Sequence, residues 1–62
     1  MRDPLLLLKS FLSEKVTVFT RDSETPFLIG NLLAFDEHFN LILYEKEIIM
    51  IKGEMIVYVG QE

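Results

Sequence analysis

The spacing of apolar and polar positions divides the chain into one helical segment and five extended ones. From Pro4 to Leu12, Leu5, Leu8 and Leu12 recur at helical intervals with Phe11 beside them, while Lys9 and Ser13 fall on the other side. Asp3 before Pro4 suits the start of that helix. Its carboxylate can cap free amides, and proline at the first helical position loses no hydrogen bond. A helix of that length is unstable alone, so it must lie on the other elements and cover one end of them. Lys15 to Thr20 alternates with period two instead, Val16 and Val18 on one face and Thr17 on the other, which predicts a half-buried strand. Arg21 to Pro26, with Asp22, Ser23 and Pro26, reads as a solvated turn.

The run from Phe27 to Leu43 reads as two strands joined by a short polar turn, Asp36 to Asn40, which holds the run's only charges and its only histidine. Gly30 interrupts the first of these strands. Glycine packs nothing and loses the most freedom on folding, so its presence predicts a bulge or sharp bend where a side chain would collide with its neighbour. No glycine, proline or asparagine separates Leu43 from Ile48, which predicts a tight hairpin near Glu45 to Glu47. Ile48 to Lys52 and Met55 to Val59 then flank Gly53-Glu54, a turn in which glycine can take positive φ. Both strands are apolar on both faces, and a bare apolar edge aggregates, so something must cover them. Gly60 to Glu62 reads as a frayed end. The pattern describes one mainly β domain over residues 1–62: a short N-terminal helix at 4–12, then a strongly bent, five-stranded antiparallel open barrel over 15–59.

Composition narrows what such a domain can do. A chain of 62 residues buries only about 60% of its unfolded surface, so its core stabilises it marginally. Half of its residues are hydrophobic, more than so small a monomer hides easily, and self-assembly is the economical reading. Without cysteine there are no disulfides and no thiolate metal sites, and a single histidine does not make a zinc site. No serine, histidine and acid stand at useful spacing and there is no glycine-rich phosphate loop, so an enzyme, a cofactor and a small-molecule substrate are not expected. The Leu5 to Leu8 run is too short for a signal peptide, and nothing approaches the roughly 18 apolar residues of a membrane span, so a soluble intracellular protein is expected. Six basic against ten acidic residues give a net charge of −4, the wrong sign for broad phosphate-driven binding. Any nucleic-acid contact must therefore be local.

Two stretches carry a family resemblance. Gly30-x-Leu32-x-x-Phe35-Asp36-x-x-x-Asn40-Leu41-x-Leu43 resembles the first signature of the Sm and Sm-like (LSm) proteins, and Ile51-Lys52-Gly53-x-x-Ile56-x-x-Val59 resembles their second. The resemblance implies a ring of six or seven subunits, the same or paralogous, in which strand 48–52 of one pairs with strand 55–59 of the next. It implies uridine-rich single-stranded RNA as the ligand, in small nuclear ribonucleoprotein assembly, splicing or RNA turnover, with no membrane partner and in the nucleus or cytoplasm. By resemblance His38 occupies the position that stacks on a base, and Asn40 the position whose amide matches the Watson–Crick edge of uracil. Asp36 would brace the turn without touching RNA. Lys52 stands where the family most often has arginine; an ammonium offers a point charge in place of a stacking plane. Gly53 lets the backbone approach closely and could donate an amide to base or phosphate.

Asp36 and Asn40 taken singly are ordinary turn formers, and a lone exposed histidine is commonly incidental. What favours RNA contact is their occurrence at set offsets from Gly30, followed by Lys52-Gly53. The alternative is an assembly module of the same fold that docks proteins and binds no RNA, a reading favoured by the acidic balance and by Lys52.

Overall fold

The computed structural model describes residues 3–62; Met1 and Arg2, at the head of the expected domain, lie outside the described residues. Helix α1 runs Pro4–Ser10 and is followed by strands β1 Lys15–Thr20, β2 Phe27–Phe35, β3 Leu41–Glu45, β4 Glu47–Ile51 and β5 Ile56–Gln61. All neighbouring strands are antiparallel in one sheet of order β4-β3-β2-β1-β5. Among the described residues no helix is long and apolar enough to cross a membrane.

Asp3 caps α1 by accepting the Leu5 amide at 2.9 Å, with Pro4 in the first turn. The helix ends two residues before the apolar spacing predicts. Its last turn tightens as the Phe11 amide bonds to the Leu8 carbonyl, and the Ser10 hydroxyl bonds back to the Leu7 carbonyl at 2.6 Å. Ser13 then takes a left-handed conformation, φ 68°, and gives its amide to the Leu32 carbonyl, which steers the chain into β1. Leu8 is buried, with Leu5 and Phe11 packed beside it, whereas Leu12 is exposed and forms a backbone bridge to Leu32.

Alternation in the strands sends Val16 and Val18 of β1, Leu32 of β2, Leu41 and Leu43 of β3 and Ile51 of β4 into a single core with Leu8. Gly30 is not itself a bulge: it pairs in register with Val16. It sits in a tight spot, where a β-carbon would lie 3.0 Å from the Tyr44 carbonyl oxygen and 3.4 Å from Glu45 Cβ, so that β3 would have to give way by a few tenths of an ångström. The register shifts fall elsewhere, between Leu32 and Ala34 against β3 and between Phe19 and Thr20 against β5, and these local breaks are where such a sheet gains extra twist.

The β3–β4 hairpin turns on one residue, Lys46 at φ 66°, with Glu45 and Glu47 paired across it. Two expectations near the C-terminus are corrected. Gly53 has no positive φ; Gly53–Met55 forms a single 3-10 turn that carries the chain from one sheet edge to the other. Gly60 to Glu62 is not frayed, because Gly60 pairs with Thr17, Gln61 pairs with Val16, and the Glu62 amide reaches the Lys15 carbonyl at 2.9 Å.

The sheet stays open. Among the described residues β4 and β5 each lack a partner on one side, and Met50 and Ile48 of β4 are 78% and 65% exposed, with Val57 and Tyr58 of β5 both at 61%. Leu32, fully buried at the centre of the core, is the most direct probe of its packing: Leu32→Ala should lower unfolding free energy by about 2–5 kcal/mol in urea denaturation, and a cost well under 1 kcal/mol would contradict the packing described.

Candidate nucleic-acid interface

Two turns meet at one end of the sheet. The first, Asp36 to Asn40, joins β2 to β3, and the second, Lys52-Gly53, follows β4. Pairing of β3 with β4 sets Leu41 opposite Ile51, so the residues just beyond, Asn40 and Lys52, emerge side by side.

The first turn is built around the Asp36 carboxylate. Its Oδ1 accepts the His38 amide at 2.8 Å and the Asn40 amide at 3.0 Å, and its Oδ2 accepts the Asn40 side-chain amide at 2.9 Å. The Asn40 side chain then spans the two turns, its Oδ1 accepting the Gly53 amide at 2.8 Å. Gly53 packs so close to the first turn that an added β-carbon would collide with the His38 carbonyl oxygen and stand 3.0 Å from the Phe39 carbonyl carbon. Its requirement is space, with a φ that any residue adopts.

Asp36 is solvent-exposed, yet its carboxyl is held below the ordinary 3.8, chiefly by the Asn40 side-chain hydrogen bond; desolvation opposes this, and the Asn40 and His38 amides and the His38 charge add to it. A folded-state value below the unfolded one means that the stabilisation is present above the unfolded value and lost as pH falls through the folded one. The turn is therefore held in one state throughout the neutral range.

Asp36, Asn40 and Lys52 line an open recess of about 540 Å³ whose apolar walls include Phe35, Ile42 and Met50. Such a recess, with hydrogen-bonding groups on one rim, can take a flat ring edge-on. The His38 imidazole does not line it. It projects into solvent, 76% exposed, with Nε2 3.9 Å from its neighbour Glu37, a separation at which an exposed pair contributes little. The structure thus joins Asp36, Asn40 and Gly53 directly, sets Lys52 on the same recess, and leaves the His38 ring free beside them. Among the described residues no group of three metal-ligating side chains converges.

The sequence pattern singled out neither Phe35, Ile42 and Met50, which read as ordinary strand residues, nor the conformation of Phe39. Phe39 is left-handed at φ 64° and borders the groove between α1 and β5, with Leu7, Phe11 and Tyr58. Its amide bonds to the Asp36 backbone carbonyl at 3.1 Å, closing a β-turn, while the Asp36 side chain accepts the His38 amide in an Asx turn, the local signal an aspartate at this position offers.

Comparison with known proteins adds four findings. A model of the LSM domain matches residues 6–61. A probable U6 snRNA-associated Sm-like protein of Encephalitozoon cuniculi (strain GB-M1) is 39% identical over 67 aligned positions, covering 97% of this chain and 93% of its own length. Among solved structures, an archaeal Sm protein described as heptameric superposes with TM-score 0.80 at 24% identity over 92% of this chain and 97% of its own. The SmAP (LSm) protein of Methanococcus vannielii superposes with TM-score 0.81 at 27% identity over 92% and 91%.

Two measurements test this geometry. An NMR titration of the Asp36 carboxyl carbon should give a midpoint below 3.8, with the His38 and Asn40 amides moving at the same pH; a midpoint at or above that value contradicts the network. Gly53→Ala should displace the His38–Asn40 amide resonances and cost about 1–3 kcal/mol of stability, whereas an unchanged spectrum would show that the two turns do not touch.

Proposed function

The chain belongs to the LSM-domain family, and from that premise we propose that it is one subunit of a six- or seven-membered ring that grips uridine-rich single-stranded RNA with its paired turns. The observation that carries this reading is the hydrogen-bonded junction of Asp36, Asn40 and Gly53, which presents an asparagine edge in one fixed place beside an exposed imidazole and an ammonium. The open edges supply the assembly: β4 of one subunit adds to β5 of the next, satisfying edge amides and covering Ile48, Met50, Val57 and Tyr58. The name of the Encephalitozoon cuniculi relative and the heptamer described for the archaeal neighbour support this role.

In the ring, the turns face the central hole and each subunit holds one base. His38 stacks on it, Asn40 meets its Watson–Crick edge, Lys52 supplies a point charge, and the Gly53 backbone lets the chain come close; Asp36 holds the turn and makes no contact with RNA. With a net charge of −4, affinity comes from stacking and base-edge bonds repeated around the ring more than from long-range phosphate attraction. The process served is small nuclear ribonucleoprotein assembly, splicing or RNA turnover, in the nucleus or cytoplasm.

A second reading, an assembly module of the same fold without RNA, is favoured by that acidic balance and by Lys52. Fluorescence anisotropy with a labelled uridine oligonucleotide separates the two. Binding by the assembled protein, weakened about tenfold or more by His38→Ala and by Asn40→Ala, supports RNA recognition; no binding by the assembled ring supports the module.

A further inference from the structure

We infer that the outer face of the sheet docks arginine side chains of a partner protein, on a platform formed by the aromatic row Phe27, Phe19 and Tyr58 and by the Glu62 carboxylate. The row crosses three adjacent strands: Phe19 of β1 stands opposite Phe27 of β2 on one side and opposite Tyr58 of β5 on the other. Alternation turns Phe19 away from the core that Val16 and Val18 enter. Ring centroids are 6.1 Å apart from Phe27 to Phe19 and 6.0 Å apart from Phe19 to Tyr58, yet Phe19, in the middle, is still 43% exposed and Phe27 50%. Neither the ring nor its RNA would cover this row. β1 and β2 have strands on both sides, so edge addition does not reach Phe19 or Phe27. A strand added beside β5 lies in the plane of the sheet and flanks Tyr58 without roofing it. Phe27 also opens β2, at the far end of that strand from the Asp36 turn.

The group beside the row sets what it takes. Thr17, two residues before Phe19 on the same face, gives its hydroxyl to Glu62 Oε2 at 2.5 Å. Gly60 lies opposite Thr17 and leaves the space into which Tyr58 leans, since a β-carbon there would stand 3.0 Å from Tyr58 Cε2 and 3.3 Å from its hydroxyl oxygen. The phenol end of the row and the held carboxylate thus both adjoin the Thr17–Gly60 pair. Among the described residues the ion pair that forms is His38 with Glu37; Lys15, the neighbour of Thr17 on this face, makes none with Glu62. Exposed π-faces beside an unneutralised carboxylate suit a flat cation. A guanidinium stacks on aromatic rings while its N–H groups pair with a carboxylate, whereas an ammonium is a compact point charge. A nucleic-acid backbone is repelled by Glu62 and by the net charge of −4, so a basic peptide complements this face and RNA does not.

The inference is independent of the RNA-binding reading, and its test keeps the two apart. The full-length protein, in the assembly it forms, is titrated by fluorescence anisotropy with a labelled peptide of alternating arginine and alanine, and with analogues carrying lysine or citrulline in place of arginine. The arginine peptide should bind at least about threefold more tightly than either analogue, lysine lacking the stacking plane and citrulline the charge. Phe19→Leu, on a strand that no edge contact uses, should weaken it about threefold or more, and Glu62→Gln about twofold or more. Both variants are checked for a native sheet by circular dichroism and for the same particle mass as the unmodified protein. Oligouridine, titrated separately, should give the same result with Phe19→Leu as with the unmodified protein. No saturable binding of the arginine peptide, or equal binding of the lysine analogue, overturns the inference. Unchanged arginine-peptide affinity in the folded Phe19→Leu or Glu62→Gln variant also overturns it, as does a loss of oligouridine binding in Phe19→Leu, which would assign the rings to RNA.

Discussion

The unpaired edges of a sheet too short to close on itself constrain everything else in this molecule. The order β4-β3-β2-β1-β5 leaves a row of free amides and carbonyls at each end, and in each edge strand apolar side chains stand exposed, Ile48 and Met50 on one and Val57 and Tyr58 on the other. Lysine, proline or a bulge commonly blunts such an edge. Here neither strand contains a proline or a lysine, and among the described residues the buried core amounts to seven side chains. A small domain with so modest a core and so much apolar surface reaches secure stability most economically by association.

The same openness positions the candidate site. Since β4 and β5 occupy opposite ends of the sheet, the chain must cross between them, and it does so at the Gly53–Met55 turn. That crossing brings the Gly53 backbone against the first turn, where no side chain would fit. The Asn40 side chain then closes the junction from one side and Asp36 braces it from the other. The polar junction is thus a product of the topology that also leaves the edges free. The junction and the free edges share one architectural cause.

Much of this was legible along the chain because it rests on local periodicity. Val16 and Val18 alternate with Thr17, and β1 spans the residues that alternation marks. The absence of turn formers after Leu43 left only a tight reversal, and Lys46 makes it in a single residue. Features set by distant neighbours were not legible. Gly60 reads as the start of a frayed end until Thr17 is placed opposite it. Gly30 suggests a bulge, but its crowding by Tyr44 depends on how β3 ends, and the actual register break two to four residues on carries no glycine. At the site, motif spacing brought Asp36, Asn40 and Gly53 to notice, whereas Phe35, Ile42 and Met50 look like any strand residues until the recess they wall is seen. Gly53 was noticed both for positive φ, which it does not take, and for close backbone approach, and its packing against the first turn uses the second property.

Completion of the sheet by another chain is the claim on which the account stands. Native mass spectrometry of the tagged full-length protein, isolated from the cells that make it, tests this most directly. The account predicts a discrete particle of six or seven Sm-like chains, identical or mixed, that persists at micromolar concentration. A stable, folded monomer at that concentration would contradict it.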